Sequence, residues 1–312
     1  MAYPLTRQWQ APFPVDVRLT LSVHGRGPGD PTYQVDAVGA VWRTSLTPDG
    51  PGTIRVLPAK PAPCVTAWAW GTGGAWLLDT LPAALGIYDD ISGFDPTAHP
   101  VLQHAAKRHP GLRLGRSARL MEALVPAILE QKVVSLEAHR AWKILLAKYG
   151  TPPPGPAPRG MRVFPPPRTW RSIPSWEWHK AGVEGVRAQT IIGAATVASS
   201  LERLIGDDGA VRKTSEAARK LQTLPGIGPW TSAETLQRAV GDPDAVSVGD
   251  YNLPNAVGWA LAGRATTDDE QMLQLLEPYR GHRHRVARLV KLSGSRPPRR
   301  GPRMSVRDYR GF

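Results

Sequence analysis

The stretch LQTLPGIGPWTSAETL, residues 221–236, joins two helix-forming segments through a turn that holds Gly226 and Gly228. Both glycines permit positive φ and close approach of another group, and Pro229 falls in the first turn of the second helix, where its missing N–H costs nothing. The N–H groups of the connector, Leu224 to Gly228, and the N-terminus of the second helix can then face one anion together. This is helix-hairpin-helix geometry, suited to holding a DNA backbone without reading its sequence; an ordinary helical hairpin with a glycine turn would use the same residues. Asp250, in VGDYN, is the next side chain placed where it could do chemistry, and its position just before LPNAVGWALAG equally suits a helix N-cap. Asp242 and Asp244, in GDPD, read as loop residues. His282 and His284 stand two apart, which on a helix points them to different faces, and no cysteine or carboxylate lies near them in sequence, so they are assigned to a basic surface and not to a metal.

The bulk composition agrees with a polyanionic partner. Lys plus Arg number 39 against 26 Asp plus Glu in 312 residues, a formal charge of +13 with a pI near 10.3. Such a surplus is the electrostatic footprint of nucleic-acid binding, although a coding bias toward arginine would raise it too. A single cysteine, Cys64, excludes an intramolecular disulfide, a cysteine-rich zinc site and a four-cysteine iron–sulfur cluster. The first residues lack the pattern of a signal peptide, and no stretch approaches the length of a membrane span. The expectation is an intracellular protein, cytoplasmic and nucleoid-associated, monomeric and without a membrane partner.

VDVRLTLSVH (15–24) alternates apolar and polar residues and predicts a half-buried strand. YQVDAVGAVWR, GTIRVLP and CVTAWAWG follow as a meander of short strands, and GAWLLDTLPAALG reads as helix. From about Pro96 the pattern is helical. SARLMEALVPAILEQ and SLEAHRAWKILLAKYG each open on a serine suited to capping, and the second stops at Gly150. TPPPGPAPRGMRVFPPPR (151–168) can be neither helix nor central strand and predicts a long loop inside the helical region. The fold class is α+β. A small antiparallel β-sheet domain with a packed helix spans 1–94, a two-lobed all-α region spans 95–292, and a basic, flexible tail spans 293–312.

LQTLPGIGPWTSAETLQRAVG followed by DAVSVGDYNLPNAVGWAL resembles the helix-hairpin-helix DNA glycosylase superfamily, and within it the bacterial 3-methyladenine DNA glycosylase II group. The superfamily pattern is a hairpin, a Gly/Pro-rich loop and an aspartate shortly before a helix. ILEQKVVSLEAHRAW, EPYRGHRHRVARL and the β-rich start extend the likeness over most of the chain. The resemblance implies a base excision repair enzyme that binds damaged duplex DNA, flips an alkylated purine out of the stack and hydrolyses its N-glycosidic bond. Asp250 would be the carboxylate that stabilises oxocarbenium-like charge or orients the water. Strand-cleaving members carry a lysine where this chain has Trp230, so simple hydrolysis is implied. Trp230 would stack on the flipped base, and Tyr251 would form a second pocket wall. Gly226, Ile227, Gly228, Thr231, Gln131 and Lys132 would meet DNA. Backbone carbonyls of Gln222, Leu224 and Ile227 would hold Na+ or K+, with no other cofactor and no iron–sulfur cluster.

Three positions depart from the family. Glu234, one turn beyond Trp230 on the same helical face, and Arg288 stand where pocket aromatics are expected, and Lys132 stands where an apolar wedge fills the flipped base's place. Glu234 and Arg288 are expected either to form an ion pair that makes the pocket more polar or to be plain surface residues. Two other functions compatible with these departures are a noncatalytic DNA-binding protein and a glycosylase for another damaged base. An oxidised-purine enzyme that cleaves the strand is disfavoured by Trp230.

Overall fold

The computed structural model describes residues 3–206 and 213–298, so the expected basic tail beyond residue 298 lies outside the described residues. Five strands form one antiparallel sheet in the order β1-β5-β4-β3-β2: β1 Leu5–Gln10, β2 Tyr33–Val35, β3 Val41–Thr47, β4 Gly50–Ala59 and β5 Cys64–Trp70. β-branched and aromatic residues in VWRTSLT and CVTAWAW suit this pleated, half-buried surface. Val41, Ile54, Val56, Val65 and Ala67 pack on one face against α1 Val17–Leu21, α2 Gly74–Asp79 and α3 Leu81–Ala84.

The strand expected at 15–24 is helix α1 followed by a 3-10 turn, Ser22–His24. Asp16 caps it by accepting from the Leu19 N–H at 2.9 Å, and Val17, Thr20 and Leu21 form the buried i, i+3, i+4 stripe. The alternation favours a strand, but the helix that forms takes polar Thr20 into its buried stripe and leaves Leu19 and Val23 half-buried. The edge place in the sheet goes to LTRQWQ, paired from Leu5↔Ala69 to Gln10↔Cys64.

Helix α4, Pro100–Arg108, belongs to a core completed by the last three helices. Between them the chain builds another core from α5 Leu120–Leu129, α6 Ser135–Tyr149, α7 Pro167–Ser172, α8 Ser175–Lys180, α9 Gly185–Thr196, α10 Ala198–Glu202, α11 Thr214–Gln222 and α12 Pro229–Ala239. α5 is buried on every side, as an apolar helix without a polar face must be. The last helices, α13 Leu253–Ala262, α14 Asp269–Leu276 and α15 Arg283–Ser293, close over α4 through Leu102, Leu253, Val257, Met272 and Val286.

Neither serine expected as a cap acts as one. α5 starts at Leu120, where the Glu202 carboxylate of α10 accepts from the Leu120 and Met121 N–H groups at 3.1 and 3.0 Å, a cap supplied from a distant part of the chain. Ser135 is the first helical residue of α6, after Val134. The proline-rich segment is a strap across the sheet as well as a loop, and it ends earlier than expected, because Pro167 and Arg168 open α7. Arg162 donates its N–H to Pro31 O at 2.7 Å, Thr44 Oγ1 donates to Arg162 O at 2.6 Å, and fully buried Met161 packs on Trp42 and Trp70, whose rings stack at 5.6 Å.

Candidate active site

The hairpin joins α11 to α12, and its two glycines do different work. Gly226 has φ +83°, and a Cβ there would lie 2.1 Å from Thr190 Oγ1 of α9, so this glycine seats the turn on the helical core. Gly228 has an ordinary φ, and a Cβ there would meet nothing within 4 Å; its face of the turn is open. Ile227 is buried in the core and its N–H closes the turn on Leu224 O at 3.1 Å.

Gln131, expected to meet DNA, spends its amide on this hairpin: Nε2 donates to Gly226 O at 2.9 Å and to Thr231 Oγ1 at 2.8 Å. Thr231 is buried, so its hydroxyl braces the turn from within. Lys132, next to Gln131, is exposed with φ +54°, a conformation rare outside glycine. The residue before them, Glu130, pairs with Arg26 at 3.3 Å. The sheet domain and the hairpin thus hold the Lys132 tip from both sides.

Trp230 and Asp250, twenty residues apart, meet: the indole Nε1 donates to Asp250 Oδ2 at 3.2 Å. Asp250 Oδ1 accepts from the N–H groups of Asn252 and Leu253 at 2.9 and 2.8 Å. Asp250 is not itself the N-cap of α13, which is Asn252, but one of its oxygens holds the N–H groups that open the helix while the other faces Trp230. An ionised carboxylate has about four acceptor positions, and three are taken. The group is fixed in place with one acceptor position left.

The loop from α12 to Asp250 is pinned along its length. Asp244, expected as a plain loop residue, accepts from Nε and Nη2 of Arg283 and from the Gly281 N–H, which ties the loop to α15. Gln237 donates to Ala245 O and Ser247 Oγ, both at 2.9 Å. Gly249, with φ +88°, donates to both oxygens of Asp269 at the start of α14. Ser247, Asp269 and Gln237 hold the loop that carries Asp250, and sequence reasoning missed them, since loop spacing carries no signal for them.

Glu234 is neither on the surface nor paired with Arg288. It is 6% exposed, and its carboxylate accepts from Arg238 Nη1 at 2.7 Å and from the Ser247 hydroxyl. Burial alone would raise its pKa, but Arg238, Lys291 and the Ser247 hydrogen bond outweigh burial and bring it down to about 2. Arg238 is the i+4 residue on the same helical face, a spacing at which an acid and a base pair along one helix. Arg288 is lowered to about 10, by burial first and then by Arg238, against the pull of Glu234, and it remains charged at neutral pH. Its Nε is buried without a hydrogen-bond partner among the described residues. His284 is buried rather than on a basic surface, and burial, then Arg288, push its pKa down. His282 Nε2 contacts Ser92 O at 3.0 Å. No group of three or more metal-ligating side chains occurs among the described residues. Tyr251 is 78% exposed, so it stands at the rim and does not wall a closed pocket.

No helix among the described residues is long and apolar enough to cross a membrane. No family model matches the chain. Curated relatives from two strains of Mycobacterium tuberculosis, each described as a probable bifunctional transcriptional activator/DNA repair enzyme AlkA, are 33% identical over 157 residues, which is 50% of this chain. The match spans 30% of the length of those relatives. Among solved structures, a 3-methyladenine DNA glycosylase from Archaeoglobus fulgidus superposes with a TM-score of 0.76 at 16% identity, covering 92% of this chain and 98% of its own. MBOgg1 in complex with a low-affinity DNA ligand gives 0.70 at 18% identity over 94% of this chain and 98% of its own. The 8-oxoguanine glycosylase/lyase of Clostridium acetobutylicum gives 0.68 at 11%, over 94% of this chain and 100% of its own. At these identities the likeness is one of fold, and the chain has the fold of the helix-hairpin-helix DNA glycosylases.

Proposed function

We propose that this chain, with the helix-hairpin-helix glycosylase fold, is a DNA glycosylase that releases alkylated purines of the 3-methyladenine type by hydrolysis. The observation that carries the reading is the meeting of Trp230 with a fixed Asp250 carboxylate where the hairpin helix begins. The hairpin's open face at Gly228 would take a DNA phosphate, and the exposed Lys132 would enter the duplex beside it. Breaking the C1′–N bond sends its electrons to the base and leaves positive charge on the sugar. Asp250, fixed by three donors, stabilises that charge without having to reorganise. Water then adds to C1′ and gives up a proton, leaving an abasic sugar and an intact strand. Trp230 offers no amine for a Schiff base, so strand cleavage forms no part of the reaction. We assign a structural Na+ or K+ to the carbonyls of Gln222, Leu224 and Ile227; the Leu224 carbonyl already accepts the Ile227 N–H and keeps one lone pair for an ion.

The test is base release from duplex DNA carrying methylated purines. The full chain should release the base and leave alkali-labile sites, and Asp250→Asn should lose release by roughly a hundredfold or more while keeping DNA affinity. Tight binding with no release by the parent chain would instead make it a noncatalytic DNA-binding protein, the reading that the cationic Lys132 favours.

A further inference from the structure

Lys132 has a different neighbour on each side. Gln131 reaches the hairpin at Gly226 and Thr231. Glu130 reaches the other way, with Oε1 3.3 Å from Arg26 Nε of the sheet domain and 3.9 Å from His139 Nε2 of α6. Residues 25–30, GRGPGD, lie along that flank of α6: a Cβ at Gly27 would stand 2.7 Å from His139 Nδ1, and one at Gly29 would stand 3.9 Å from Lys143 Nζ. His139 and Lys143 are i and i+4 on one helical face. Loop and helix therefore share a ridge that continues from the Lys132 tip on the flank opposite the hairpin.

The acids of this ridge are spent and its lysines are not. Asp30 is fully buried, and its carboxylate accepts from the Arg26 and Thr32 N–H groups, the Thr32 hydroxyl and the Trp142 indole. Glu130 is taken by Arg26. Burial keeps the His139 imidazole below its usual pKa, so the ring is neutral at pH 7. Lys132 is exposed and Lys143 half-buried, and neither forms an ion pair among the described residues. Beside Lys143, exposed Pro28 sits between Gly27 at φ +76° and Gly29 at φ +70°. Neither glycine N–H has a hydrogen-bond partner among the described residues. Open N–H groups at a turn tip next to an ammonium are the donor set that phosphate oxygens take.

We infer that residues 27–29 and Lys143 form a second DNA-backbone surface, which holds a phosphate of the strand opposite the one held by the hairpin. A side chain entering a duplex has one backbone on each side of it, and the hairpin and this ridge stand on the two sides of Lys132. The inference rests on the duplex binding in the proposed function and gives the sheet domain a part in it.

The experiment measures duplex affinity of the full chain by fluorescence anisotropy over a range of NaCl, for the parent and for K143Q and K143R. It is repeated with single methylphosphonates, which lack the phosphate charge, moved along each strand in turn. K143Q should reduce the salt slope by about 0.9 and weaken binding roughly eightfold at about 0.1 M salt, the counterion release of one phosphate. K143R, which keeps the charge, should keep the parent slope. Methylphosphonates should weaken the parent at one cluster on each strand, and K143Q should lose sensitivity at one cluster alone. The parent's map needs no variant: sensitivity confined to one strand overturns the inference. So does a K143Q slope or map that matches the parent's. A parent chain that binds no duplex defeats the proposed function and this surface together. One that shows the two-strand map but releases no methylated purine defeats the glycosylase reading alone and leaves this surface standing.

Discussion

Glu234→Gln tests the buried charge pair beneath the proposed pocket. The carboxylate side chain is 8% exposed and that of Arg238 14%, so solvent screening is small. Its pKa stands at about 2 against 4.5 for an unperturbed glutamate. At 1.36 kcal/mol per unit, ionisation of Glu234 contributes about 3 kcal/mol to stability at pH 7. The folded-state value is the lower one, so this contribution is fully present above the unfolded pKa and is lost as pH falls toward 2. Linkage leaves about 2 kcal/mol of it at pH 3.5. Glutamine mimics the protonated acid and keeps its shape, so the gap in urea unfolding free energy between parent and variant should narrow by about 1 kcal/mol from pH 7 to pH 3.5. A gap that stays constant over that range, or one below about 1 kcal/mol at pH 7, would refute the claim that Glu234 is held ionised by Arg238.

Trp230→Phe keeps an aromatic face and removes the donor to Asp250; hydrogen bonds to charged groups contribute about 1.5–3 kcal/mol, so base release should slow roughly ten- to a hundredfold in a single-turnover assay with folding intact. Gly226→Ala forces a side chain to φ +83° against Thr190 and should lower unfolding free energy by about 1–3 kcal/mol. Gly228→Ala should leave stability within about 0.5 kcal/mol, since a Cβ there meets nothing within 4 Å, yet weaken duplex affinity by fluorescence anisotropy under the proposal that a phosphate approaches this open face. Asp89→Asn strands Arg285, whose side chain is 4% exposed opposite an aspartate that is 1% exposed, and should cost about 3 kcal/mol or more in thermal or urea unfolding.

Much of the site could be read from the chain because its parts are local. The hairpin is a contiguous run whose glycines and proline have fixed geometric uses, and Asp250 precedes a helix whose start is visible in sequence. What could not be read depends on which distant residues arrive as partners. Glu234 looked equally compatible with Arg288 and with solvent, and only packing selects Arg238. Gln131 looked like a DNA contact, and its amide is spent ninety-five residues away on Gly226. In the sheet domain, the alternation at 15–24 pointed to a strand, and the helix that forms instead is capped by an aspartate side chain reaching the Leu19 N–H and buries polar Thr20. The serines before α5 and α6 misled for a related reason: Glu202, far along the chain, does the capping of α5.

The strap at 151–164 has a mechanical meaning for the molecule. It leaves the helical core after α6, is fastened to Pro31 and Thr44, and returns to that core at α7. Trp42 and Trp70 are under a tenth exposed beneath it. Lifting the sheet away would tear out a segment whose two ends are anchored in the other core and would wet both indoles together. Sheet and helices are therefore stitched into one cooperative body, and the loop that carries Lys132, pinned to Arg26 on one side and the hairpin on the other, inherits its rigidity from that stitching.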